Sequence, residues 1–91
     1  MMFYYPAIFH EKEDGTYNAY FPDLAMCTAE GDTLDECIND AIEACRSWIM
    51  VELEDSMDLP PVSYEEDIAL APGDFIRTIG VTIRLYVGWD E

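Results

Sequence analysis

Carboxylates are the groups this sequence offers most freely for chemistry, with twenty Asp and Glu in 91 residues. Paired carboxylates can act as general acid and base or hold magnesium. So many acids in so short a chain become neighbours by accident, however, and neither an EF-hand spacing nor a glycine-rich phosphate cradle accompanies them. They read as a diffuse, solvated acidic surface with no catalytic, cofactor-binding or metal-ligating set. His10, the only histidine, stands beside Glu11 where a first strand should end. As a general base it needs a nucleophile, and neither Ser47 nor Ser56 lies in a nucleophile-elbow context. A solvated strand-end histidine is the expectation. Cys27, Cys37 and Cys45 are odd in number and have neither C-x-x-C pairing nor nearby histidines, so neither a disulfide framework nor a zinc site follows. Without a basic neighbour to lower a thiol pKa, they are expected to be plain buried thiols. The chain is therefore expected not to be an enzyme.

Four Lys and Arg against those twenty acids give a net charge of −16, so a partner attracted at long range must be basic. Nucleic acid is disfavoured because phosphate neutralisation needs clustered Lys and Arg, and an anionic membrane surface is excluded on the same ground. At 51% hydrophobic and 13% aromatic, the chain is too apolar for disorder. Its length suits one small domain over 1–91. The N-terminus Met1-Met2-Phe3-Tyr4-Tyr5-Pro6 has no basic region or small-residue cleavage site. No apolar run approaches the ~20 residues that span a bilayer, so a cytoplasmic protein is expected.

The elements that must position these residues are legible as periodicities. Phe3, Tyr5, Ala7 and Phe9 alternate with Tyr4, Pro6, Ile8 and His10 as in a strand. Asp14-Gly15 then signals a hairpin, because glycine tolerates positive φ. A second strand is expected over Thr16 to Phe21, ended by Pro22-Asp23, and a third over Ala25 to Ala29, leaving at Gly31-Asp32. Thr33-Leu34-Asp35-Glu36 matches a capping box. From there Leu34, Cys37, Ile38, Ala41, Ile42, Cys45, Trp48 and Ile49 recur at helical spacing, fading near Glu54-Asp55-Ser56. The stretch from Met57 to Asp74 is a connection with at most one helical turn between Tyr64 and Leu70. A last strand alternates Ile79, Val81, Ile83, Leu85 and Val87 with the residues between them. The order β-β-β-α-β predicts an α+β fold, a mainly antiparallel sheet of order 3-2-1-4 with one helix on one face. The helical crossover is expected to bring the fourth strand in parallel to the first. The other face is expected to be tyrosine-rich and open, hence a contact surface.

The run Tyr5-Pro6-Ala7-Ile8-Phe9, then Asp14-Gly15 and Tyr17, then Phe21-Pro22-Asp23-Leu24, and finally Gly31-Asp32-Thr33-Leu34-Asp35-Glu36-Cys37 resembles the N-terminal domain of HicB-like (UPF0150) antitoxins. The resemblance covers roughly the first half of the chain. It implies a truncated RNase H-like fold without its nuclease site, which binds and blocks a small basic HicA-type messenger-RNA interferase. Two departures stand out. Family members commonly continue into a DNA-binding domain, whereas this sequence ends at Glu91, so no separate DNA-binding domain and no direct DNA binding are expected. The family's usual Pro-Gly after Phe-Pro-Asp-Leu is replaced by Ala25-Met26, which is expected to straighten that turn.

The leading reading is thus an antitoxin of a type II toxin-antitoxin system that neutralises a basic HicA-like toxin, with Tyr20, Phe21, Pro22, Asp23, Asp32 and Glu36 as the partner-binding residues. A homo-oligomer, dimer or higher, is expected to form through Tyr86 and Trp89. Two alternatives belong to other classes: a metal-dependent RNase H-like nuclease, and an orphan homo-oligomeric interaction domain.

Overall fold

The alternation at the N-terminus becomes strand β1, Met2–Glu11, which lies at the centre of the sheet because both of its faces are apolar enough to be buried. The computed structural model describes residues 2–55 and 59–83. A hairpin with Gly15 at φ 90° leads into β2, Tyr17–Tyr20, and a turn then leads into β3, Thr28–Gly31. Helix α1, Leu34–Asp55, follows, and after the 3₁₀ turn Glu65–Asp67 the chain enters β4, Phe75–Thr82. The sheet has the order β3-β2-β1-β4 with α1 packed on one face, an α+β fold in the expected strand order.

Three expectations are corrected. The fourth strand is antiparallel to β1, with Tyr5 opposite Ile79 and Phe9 opposite Phe75. A 22-residue helix at 1.5 Å per residue is about 33 Å long. It starts beside the hairpin end of the sheet and runs to the other end, and a short loop from there would have given a parallel strand. Instead the connection returns to the hairpin end before β4 begins. Its path is marked by Ser63 bonded to Asp23, Glu65 to Thr78 and Asp74 to His10. Second, β3 starts at Thr28, because Ala25 to Cys27 form the turn before it. Third, the sheet face opposite α1 is not open, and Glu65 of the connection reaches Thr78 on it. Pro6 is buried and Ile8 is 1% exposed there, while Tyr4, whose ring lies over Gly80, and Tyr20 keep about half of their surface.

Between sheet and helix, Tyr5, Ala7, Phe9, Ala19, Phe21 and Leu24 meet Cys37, Ala41, Cys45, Ile49 and Leu53. Burying a side chain of the size of Phe9 or Leu24 stabilises by about 1.5–3 kcal/mol, which makes this layer the main source of stability. The first half of the capping box forms, with Thr33 Oγ1 accepting from the Glu36 N–H at 3.2 Å; Glu36 Oε1 accepts at 3.1 Å from the N–H of Asp32, one residue before the cap. Among the described residues no helix is long and apolar enough to cross a membrane.

Candidate functional site

The turn that joins β2 to β3 is built by three backbone bonds. The Phe21 N–H donates to the Cys27 carbonyl, the Leu24 N–H to Phe21, and the Cys27 N–H to Leu24, all at 3.1–3.2 Å. Leu24 is fully buried and pins the turn to the core, while Pro22, Ala25 and Met26 face solvent. Ala25-Met26 does not straighten the chain, contrary to expectation. Met26 takes φ 62°, the left-handed region that glycine reaches freely and other residues reach at about 1 kcal/mol. Its side chain is 96% exposed, so no packing in this chain compensates that cost.

Beside the turn, Trp48 is partly buried rather than wholly in the core, and its Nε1–H donates to the Ala25 carbonyl at 2.9 Å. Met26, Cys27 and Thr28 on one side and Ala44, Ser47, Trp48, Val51 and Glu52 on the other line a shallow groove of about 410 Å³. Around it α1 carries seven acids and one cation, Arg46, whose guanidinium is taken up by Glu43 at 2.6 Å. Asp35 and Glu36 in the first turn suit the positive end of the helix dipole. Glu52 and Glu54 lie at the negative end, where the last turn holds no basic residue, so they oppose the dipole.

At the other end of α1, Lys12, Asp14, Thr16, Tyr17, Glu30, Gly31, Asp32 and Glu36 surround a polar concavity of about 470 Å³. Two of its four carboxylates are occupied: Asp14 accepts from the Thr16 N–H and hydroxyl, which lowers its pKa, and Glu36 accepts from the Asp32 N–H. Gly31 is required here, because a Cβ would lie 2.4 Å from the Cys37 nitrogen.

The six sequence-predicted contact residues therefore do not form one surface. Asp32 and Glu36 meet at the polar concavity. Tyr20, 46% exposed, stands opposite Thr28 at the other side of the fold. Pro22 is exposed on the turn, and Asp23 accepts from both the N–H and the hydroxyl of Ser63 at 2.8 and 2.5 Å. Phe21, 3% exposed, belongs to the core. Tyr86 and Trp89 lie outside the described residues. Sequence reasoning passed over Val51 and Ser63 and named Met26 only for a turn it was expected to straighten. An apolar Val51 on the otherwise polar side of the helix was the available signal for the first, and the glycine usual in the family at the position of Met26 was the signal for its positive φ.

His10 is half exposed with Nδ1 2.6 Å from Asp74 Oδ1, and no nucleophile joins the pair. All three cysteines are buried free thiols, as expected. Burial raises each thiol pKa, that of Cys45 to about 12 with the neighbouring Cys27 adding to the effect. Among the described residues no three His, Cys, Asp or Glu side chains converge in a metal-holding group.

A family model described as the HicB_like antitoxin of bacterial toxin-antitoxin systems matches residues 5–85. A UPF0150 protein of Synechocystis sp. is 29% identical over 68 residues, which cover 75% of this chain and 81% of that protein. Among solved structures, a chain of a toxin-antitoxin complex from Streptococcus pneumoniae superposes with a TM-score of 0.82 at 23% identity, over 100% of this chain and 76% of the other. A chain of a HicA3 and HicB3 toxin-antitoxin complex gives 0.67 at 22% identity, over 89% and 100%. At these identities the structural likeness is one of fold.

Proposed function

We propose that this chain, which belongs to the HicB-like antitoxin family of bacterial toxin-antitoxin systems, acts by binding a small basic HicA-type toxin and covering its active surface, and catalyses no reaction itself. The family match over residues 5–85 carries this reading. The physics supports it. A net charge of −16 steers a cationic ribonuclease toward this surface and competes with the RNA that the ribonuclease would bind. Among the described residues the acids are spread along the helix and the hairpin instead of converging, which suits a cover better than a magnesium-dependent nuclease.

The experiment is co-expression with a basic HicA-type toxin, followed by an RNA-cleavage assay at increasing antitoxin. Stoichiometric loss of cleavage is expected, weakening as salt is raised. Cleavage that persists with the chain in excess rejects the antitoxin role. Calorimetry with magnesium and manganese addresses the nuclease alternative, for which tight binding accompanied by RNA cleavage by this chain alone would be decisive. Light scattering on the purified protein reads the proposed self-association through Tyr86 and Trp89.

A further inference from the structure

We infer that the groove between the Ala25–Thr28 turn and the C-terminal half of α1 receives an amphipathic, cationic helix of the partner, with Met26, Trp48 and Val51 as its apolar contacts. The inference rests on the antitoxin reading and names the surface and the kind of element it takes.

Four observations converge on this groove. Met26 combines a left-handed backbone with almost complete exposure, a conformation that glycine would adopt without strain, so the thioether is displayed where folding gains nothing from it. Val51, 61% exposed, and Trp48 continue the apolar surface onto the helix. Acids flank it at both ends, Glu30 and Asp40 toward the start of α1 and Glu52 and Glu54 toward its end, and the one nearby cation, Arg46, is neutralised by Glu43. The acids at the end of α1 oppose the helix dipole, an arrangement that a cationic ligand would relieve.

The groove also selects the shape of its occupant. A peptide strand could add to the edge strand β3 only through free backbone groups, and the outward N–H of Glu30 already donates to Asp40 Oδ2 at 3.0 Å. With that donor taken on a strand of only four residues, recognition through side chains is favoured over strand addition. A helix lying along α1, apolar residues inward and Lys or Arg toward the acids, meets that requirement.

The test uses the full chain and a purified basic HicA-type toxin, with affinity measured by calorimetry and folding by thermal melts. Met26→Gly removes the side chain and the strain together, so Tm equal to or above the parent value is expected alongside binding about ten- to thirtyfold weaker. Val51→Arg, at an exposed position, should fold normally and weaken binding at least as much by placing like charge against the cationic helix. Glu66→Gln, on the far connection, should bind as the parent does. If the parent binds and both groove variants bind equally well, the groove is overturned while the antitoxin role stands. If the parent itself does not bind the basic protein, both fall. A binding loss with a depressed Tm in Met26→Gly assigns Met26 to the fold and also overturns the inference.

Discussion

At the scale of single residues, positions of opposite character define this chain. Gly31 has no room for a side chain, since the first turn of α1 approaches to within contact of its Cα. Gly31→Ala must push the helix off β3, and a loss of about 2–3 kcal/mol is expected in urea denaturation, the cost of overpacking against backbone that cannot move. A change under 0.5 kcal/mol would mean that the helix start is looser than this packing implies. The thiols make a second prediction. Cys27, Cys37 and Cys45 have folded pKa values raised above their unfolded values by burial. The neutral form is therefore favoured in the fold, and the stabilisation is complete below about pH 8.5, where unfolded thiols are still protonated. It is lost as pH rises through the folded values, so stability should fall between about pH 9 and 12. Thiol reagents at pH 8 should react only at the rate of unfolding, and fast labelling of the native protein would contradict the burial of these groups.

At the scale of elements, α1 is charged against its own dipole at its end. Glu54→Lys places a cation in the last turn and should stabilise the fold by about 0.5 kcal/mol. The same change subtracts negative charge beside the proposed groove, so affinity for the basic partner should fall as stability rises. Thermal melts and calorimetry on one variant read both signs. A variant improved in both respects would show that the acids serve neither helix nor partner. The connection 59–74 is an element of equal consequence. Its bonds from Ser63 to the β2–β3 turn, from Glu65 to β4 and from Asp74 to β1 deliver β4 to the hairpin end, reversing the direction expected from a helical crossover. The strand order was legible because alternation and turn residues are local. The direction of β4 was not, because it depends on where a proline-rich connection without periodicity comes to rest.

At the scale of the whole molecule, −16 charges on one small domain repel one another. Raising salt from about 0.01 to 0.15 M shortens the screening length from about 30 to 8 Å. Tm of the free chain should therefore rise with salt over this range, while its association with a basic partner slows. A Tm that does not respond would place the acids too far apart to matter to the fold, leaving solubility and recognition as their role.

The sequence by itself determined what short-range chemistry can encode: the faces of the strands, the Thr33 cap, the buried cysteines, and a net charge of −16. Only the tertiary structure decided that Phe21 turns inward, that Asp23 is held by Ser63, that the second face is roofed, and that Met26 adopts a left-handed backbone with its side chain in solvent. Each of these depends on which distant segment comes to lie alongside, and the free energy that fixes it arises from surfaces brought together across the fold rather than from neighbours along the chain.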